Sequence, residues 1–265
     1  MNSGGPTGAD LDAFLDLALH LADAAAPVTR SYFRRPIDVD AKSDRSPVTI
    51  ADREAEQAMR TLIEAAFPDH GIVGEEFGAT RADADYVWVL DPIDGTKSFI
   101  TGKPLFGTLI GLMHRGRAVL GVIDHTILGE RWIGVAGRPT TFNGEVVESR
   151  KGRTLDEAWM YATTPHMFPD GYDAEAYARL CEEVKSPVYG AECYAYGLLA
   201  NGTVDLVVES TMGAYDYCAL MPVVEGAGGV ITDWQGRPLG LEGDGRVLAA
   251  GDAELHRAAM ELLSA

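Results

Sequence analysis

Basic charge is what this chain has least of. Its 265 residues carry 22 Lys plus Arg against 40 Asp plus Glu, a formal net charge of −18. A field of that sign repels nucleic acid and anionic membrane, so a phosphate-bearing partner needs a local cation. The acidic residues are spread along the chain rather than gathered in a tail, which reads as a solvated surface. Cysteine is scarce too. Cys181, Cys193 and Cys218 form no CxxC pair and leave an odd thiol under any pairing, which argues against a disulfide framework. The six histidines (His20, His70, His114, His125, His166, His256) show neither HxH nor HExxH spacing, so a zinc site has no support. No apolar run reaches the roughly 18 to 20 residues needed to cross a bilayer, and residues 1–8 lack both regions of a secretion signal. The expectation is a soluble cytoplasmic protein.

Hydrophobic residues make up 46% of the chain, enough for a substantial core in one large domain or in two lobes sharing an interface. Asp10 can cap a helix running towards Phe33, and a second helix is expected from near Ala51 to Phe67 with Ala55, Met59, Leu62, Ile63 and Ala66 inward. Between them, residues 39–49 read as a polar, turn-rich loop. Strand signals then dominate as far as Val135, giving an α+β half, with Arg115-Gly116-Arg117 as a hairpin turn. After Arg150 strands and helices alternate, which is α/β grammar. The halves are divided as residues 1–145, with most candidate metal ligands, and 146–265, and a cleft between lobes is a favoured binding site.

The chemistry concentrates in Asp91-Pro92-Ile93-Asp94-Gly95-Thr96, where an apolar strand, Tyr86 to Leu90, is expected to break into a turn. Pro92 fixes φ and Gly95 permits a tight turn, so Asp91 and Asp94 can converge and leave the Ile93 carbonyl as a further oxygen ligand. Glu75 follows a short strand, and Asp216 stands at the start of a helix. Ligands of this kind favour hard cations, Mg²⁺ first and Mn²⁺ or Ca²⁺ as substitutes, and like charges so gathered need a cation to be tolerable. Such a centre suits hydrolysis of a phosphate monoester. Gly95 and Thr96 would offer backbone N–H groups to phosphate oxygens, and Thr96 would hold the attacking water with its hydroxyl oriented by Asp52.

Glu75-Glu76, then Asp91 to Phe99, then Tyr215-Asp216 followed by Glu225-Gly226-Ala227-Gly228-Gly229 resemble, in order and spacing, the signatures of the inositol monophosphatase family of lithium-sensitive, Mg²⁺-dependent phosphatases. The resemblance runs from about Lys42 to Gly236. It implies a layered α-β-α-β-α sandwich of the inositol monophosphatase and fructose bisphosphatase type, assembled as a homodimer. It also implies Glu75, Asp91, Ile93 (carbonyl), Asp94 and Asp216 as metal ligands, with Asp52, Thr96 and Glu75 activating water. Mg²⁺ would be the cofactor, Mn²⁺ a substitute, and Ca²⁺ or Li⁺ inhibitory. Lys42 falls where the family places a loop residue near metals and phosphate.

The stretches 41–52, 192–200, 205–210 and Tyr215-Asp216-Tyr217 look most like the histidinol-phosphatase branch, whereas inositol-directed members more often carry Trp at the position of Tyr215. Histidinol phosphate bears an ammonium and an imidazole, so carboxylates should line its pocket. Glu192 and Glu209 are the candidates; Glu209 falls where inositol-directed relatives contact the inositol ring, so Glu192 discriminates better, its alternative being to cap the helix that follows. Gly190 and Ala191 would add backbone contacts, Asp216 would touch substrate as well as metal, and Tyr196 reads as packing. The expected activity is therefore hydrolysis of histidinol phosphate in histidine biosynthesis. The alternatives are an inositol or sugar monophosphatase, and a cation-binding regulatory protein that keeps the fold without turnover.

Overall fold

The structure is a computed structural model that describes residues 5–41 and 47–265. Thr7 caps the first helix, α1 (Gly8–Tyr32), in a reciprocal capping box with Asp10; Asp10 is thus the third helical residue rather than the cap. The expected loop contains a short antiparallel ribbon, β1 (Val39–Ala41) with β2 (Pro47–Thr49). Thr49 and Asp52 form a second capping box that opens α2 (Ile50–Ala66). On α2, Ala55, Met59 and Ile63 are buried as expected, but Ala66 is exposed, and the charged Asp52, Glu56 and Arg60 are buried instead. Apolar periodicity alone does not report a buried polar stripe.

An eight-stranded sheet follows: β3 (Gly71–Gly74), β4 (Gly78–Thr80), β5 (Tyr86–Asp94), β6 (Gly107–His114), β7 (Arg117–His125), β8 (Glu130–Val135), β9 (Thr141–Phe142) and β10 (Glu145–Val146). Its order is β10-β9-β8-β7-β6-β5-β3-β4, antiparallel except where β3 runs parallel to β5. A short helix, α3 (Thr96–Thr101), leaves the end of β5. The second half supplies a five-stranded mixed sheet, β12-β11-β13-β15-β14, from β11 (Trp159–Ala162), β12 (Ser186–Tyr189), β13 (Leu206–Glu209), β14 (Val230–Thr232) and β15 (Val247–Ala250). Its helices are α4 (Tyr172–Glu183), α5 (Tyr194–Ala200), α6 (Ala214–Tyr217), α7 (Leu220–Gly226) and α8 (Ala253–Leu263).

Alternation along the strands sorts these elements into five layers. Trp88, Leu90, Ile110, Leu112 and Leu120 turn to α1 and α2, while Val87, Val89, Leu109 and Trp132 turn to α5, α6 and α7. Those middle helices also meet Val207, Val247 and Ala249 of the second sheet, whose opposite face (Met160, Leu206, Leu248) packs on α4 and α8. The order is α-β-α-β-α, as the resemblance implied. Glycines let the middle helices lie directly on the first sheet: a Cβ on Gly134 of β8 would stand 2.2 Å from the Pro222 carbonyl carbon, and one on Gly121 of β7 would stand 1.9 Å from the Ala219 oxygen. All three cysteines are free thiols. Gly134→Ala should overpack this contact and destabilise the fold by about 1–3 kcal/mol, read as a lower Tm; an unchanged Tm would show that α7 can retreat at no cost.

Candidate active site

Strand β5 does not stop at Leu90. It continues to Asp94 through a bulge, since Asp91 pairs with Leu109 and Asp94 with Gly107, leaving Pro92 and Ile93 on one strand to face Thr108 alone on the other. In a regular strand residues three apart point to opposite faces; the extra residue cancels that alternation and lets Asp91 and Asp94 share a side. Pro92 suits a bulge because it has no N–H to leave unpaired, and its carbonyl accepts the Thr108 hydroxyl at 2.9 Å. The turn comes one step later, at Gly95, whose φ of 83° is left-handed. Beside β5, the parallel pairing of Gly74 with Leu90 and the Glu75 N–H to Leu90 carbonyl bond (3.1 Å) set Glu75 next to Asp91. Helix α6 packs on β5 and brings Asp216 from 122 residues after Asp94 in sequence (216 − 94).

Oxygen atoms of Asp91, Asp94 and Asp216 lie within 4.8 Å of one another. Each carboxylate has one oxygen held by a backbone N–H: Asp91 by Ile93 (2.9 Å), Asp94 by Cys193 (2.8 Å) and Asp216 by Gly213 (2.6 Å). That aims the group without neutralising it. Glu75 lies outside this tightest trio, but its charge acts on Asp52, Asp91, Asp94 and Asp216. Asp52 is wholly buried; its Oδ2 accepts from the Thr49 N–H (2.8 Å) and hydroxyl (2.6 Å), and its Oδ1 has no partner. The expected link between Asp52 and Thr96 is not made. The Thr96 hydroxyl donates to the Ile93 carbonyl at 3.3 Å, because the helical turn after Gly95 folds it back on its own strand. That carbonyl keeps a second lone pair for a metal.

Burial and mutual repulsion push the proton affinities up throughout. Asp91 and Asp216 lie well above the ordinary carboxylate range, first through burial and then through their acidic neighbours. Burial raises Asp94 to about 6, against the lowering effect of Cys193. Asp52 is also raised, first by burial. A hard, all-oxygen donor set of mutually repelling carboxylates fits a divalent cation.

Asp94 and Asp216 also border a cavity of about 150 Å³ with Glu192, Glu209, Tyr196, Thr163 and Met212 among its walls. Glu192 does not cap α5, whose first turn has no side-chain cap; instead it takes the Ser98 hydroxyl at 2.6 Å and the Lys103 ammonium at 3.1 Å, in a left-handed conformation with φ of 49°. A Cβ on Gly95 would sit 2.7 Å from Glu192 Cγ, so Gly95 is needed for contact as well as for its turn. Lys103 also holds the Gly190 carbonyl, and Ala191 is buried against the core. Glu209 is buried, with Oε1 taken by the Thr163 N–H (3.0 Å) and hydroxyl and Oε2 by the Tyr196 hydroxyl (2.9 Å); burial raises it to about 7. Tyr196 is therefore both packed and a pocket residue. Thr163, Ser98 and Lys103 were not singled out in the sequence, since only strand pairing and loop closure bring them here. Lys42 lies outside the described residues. A larger cavity of about 590 Å³ lies between α1 and the β7–β8 region and contains none of the clustered carboxylates; Arg30 and Arg131 there bond the Thr126 carbonyl, Asp23 and Asp124.

A profile of the inositol monophosphatase family matches residues 10–265. The chain belongs to that family. It is a phosphoric monoester hydrolase, which sets aside the reading as a cation-binding protein without turnover. The chain is 51% identical over 263 residues to the bifunctional phosphatase IMPL2, chloroplastic, of Arabidopsis thaliana, covering 96% of this chain and 76% of that protein. It is 37% identical to the histidinol-phosphatase of Chlorobaculum parvum, covering 89% and 91%. An inositol monophosphatase structure from Zymomonas mobilis superposes with a TM-score of 0.89 at 45% identity, over 98% of this chain and 100% of that one. The family is generally metal-dependent, and the acidic cluster agrees with that. Among the described residues no helix is long and apolar enough to cross a membrane.

A carboxyl whose folded pKa is raised stabilises the fold below its unfolded value and loses that contribution as pH rises through the folded one. Asp94 at about 6 and Glu209 at about 7, with Asp52, Asp91 and Asp216 shifted the same way, place the loss between roughly pH 4 and 8 in metal-free protein. A divalent cation bound by these groups should therefore raise Tm more at pH 8 than at pH 5. Calorimetry with EDTA and with Mg²⁺ checks this, and an increment independent of pH would count against a metal bound by these groups.

Proposed function

We propose that this phosphatase is Mg²⁺-dependent and hydrolyses histidinol phosphate to histidinol and phosphate, a step of histidine biosynthesis. One observation carries the reading: two carboxylates, Glu192 and Glu209, share a small cavity with the cluster residues Asp94 and Asp216. Three relatives named as histidinol-phosphatases, at 32–37% identity, support it. Glu75, Asp91, Asp94, Asp216 and the Ile93 carbonyl would hold the cation, with Mn²⁺ as substitute and Ca²⁺ or Li⁺ inhibitory. When bound, Mg²⁺ neutralises the phosphate dianion, supports the leaving alkoxide and acidifies the attacking water.

The chain's own residues divide the remaining work. Glu75, Thr96 and Asp52 hold the attacking water and take its proton, and Asp52 Oδ1 is a buried acceptor with no other partner. Gly95 and Thr96, where α3 begins, offer backbone donors to the phosphate. Gly190 and Ala191, which precede Glu192 and do not line that cavity, would add backbone contacts to the substrate. At the amine end we favour Glu209 over Glu192. Glu192 already carries the Lys103 cation, whereas Glu209 is bonded only by neutral donors, so Glu209 has charge to offer an ammonium or imidazolium. A substrate cation there favours the ionised carboxylate. The proposal includes homodimeric assembly and a cytoplasmic location, next to an Arabidopsis relative whose name places it in the chloroplast.

A second reading, an inositol or sugar monophosphatase, is favoured by the 45% identity to the Zymomonas mobilis protein described as an inositol monophosphatase. Steady-state kcat/KM on both esters separates the two, with histidinol phosphate expected to lead; faster turnover of inositol 1-phosphate sinks the substrate assignment. Glu209→Gln should lower kcat/KM for histidinol phosphate by roughly 10- to 100-fold, the scale of a hydrogen bond to a charged group, and that for inositol 1-phosphate by less. Asp94→Asn keeps an acceptor for the Cys193 N–H but loses the charge. Turnover should fall about 1,000-fold or more with an unchanged circular dichroism spectrum; near-normal activity would remove Asp94 from the metal site.

A further inference from the structure

Helix α2 buries a line of charge. Asp52, Glu56 and Arg60 recur every fourth residue on one face and are 0%, 0% and 6% exposed. Asp52 belongs to the centre already described, but Glu56 and Arg60 face the turn between β3 and β4, which carries Glu75. Glu56 Oε2 accepts the Glu76 N–H at 2.8 Å, and its Oε1 accepts the Phe77 N–H at 3.2 Å and Arg60 Nε at 2.7 Å. Arg60 then donates Nη2 to the Gly78 carbonyl at the far end of the same turn. A Cβ on Gly74 would lie 2.0 Å from Glu56 Oε1, so the carboxylate is pressed against the residue immediately before Glu75.

We propose that Glu56, backed by Arg60, is a positioning residue that fixes the Glu75 carboxylate beside Asp91 and so tunes affinity for the divalent cation; this rests on the reading of Glu75 as a metal ligand. The turn's N–H groups face protein rather than water and need an acceptor, which an apolar side chain at position 56 would not supply. A carboxylate bonded by two N–H groups and a guanidinium has its charge balanced where it is, and removing either partner leaves the other buried and the turn free to relax. Partners that orient a ligand in this way typically change metal affinity by about 10- to 100-fold when lost.

The test is isothermal titration of Mg²⁺ into full-length wild-type, Glu56→Gln, Arg60→Lys and Met59→Ala proteins, with Tm and the Mg²⁺ dependence of ester hydrolysis measured on each. Met59 is buried on α2 against the first sheet, so its truncation lowers stability without touching the turn. Glu56→Gln is expected to raise the Mg²⁺ Kd about tenfold or more and Arg60→Lys several-fold, with half-saturating Mg²⁺ rising in parallel and kcat at saturation within about threefold of wild type. Met59→Ala should lower Tm and leave the Kd alone. Wild-type affinity in the Glu56 and Arg60 variants, or an equal shift in Met59→Ala, overturns the positioning role while the metal site stands. A wild-type protein that binds no Mg²⁺ overturns both. Should Glu56→Gln not fold, Arg60→Lys decides.

Discussion

Asp91, Asp94 and Asp216 present oxygens within 4.8 Å of one another in a buried setting, and like charges so placed raise each other's proton affinity as well as losing hydration. Much of the surrounding structure answers that repulsion. Each carboxylate is oriented by a backbone N–H from a different place: the bulge of β5, the start of α5 and the residue before α6. Charge-assisted bonds of this kind favour the ionised form. They do not cancel three negative charges, and the remainder is what a hard cation would balance. A family of metal-dependent phosphatases is the setting in which that arrangement makes sense.

The same constraint couples the two halves of the chain. Asp94 reaches from the first sheet to the Cys193 N–H, and Glu192, one residue earlier, reaches back to Ser98 and Lys103. The segment after β5 and the segment that leads into α5 are therefore bonded in both directions. Glu192 occupies a left-handed conformation that costs a non-glycine residue of order 1 kcal/mol, and its two side-chain bonds offset that cost.

Much of this was legible in the sequence. The Asp-Pro-Ile-Asp-Gly-Thr segment carries its own backbone instructions, so Asp91 and Asp94 could be read as convergent, although the device is a bulge followed by a turn rather than a turn alone. Helix α2 was readable from its apolar face, but Glu56 and Arg60 are indistinguishable from solvated charges until the β3–β4 turn lies against them. Tyr196 was readable as a packed aromatic. Its hydroxyl bond to Glu209 depends on where β13 ends, which no local pattern reports.

The sequence by itself determined the identities and order of the acidic residues, the local turns that carry them, and the alternation of strands and helices that yields two sheets. Those are properties of side-chain periodicity and of φ restrictions, which act within a few residues. Only the tertiary structure decided which oxygens are already spoken for. It gave Glu192 to Lys103 and left Glu209 with neutral donors. Hydrogen bonds between residues about 90 apart in sequence, such as Ser98 with Glu192, follow from how whole layers pack, and that information is spread over the entire core.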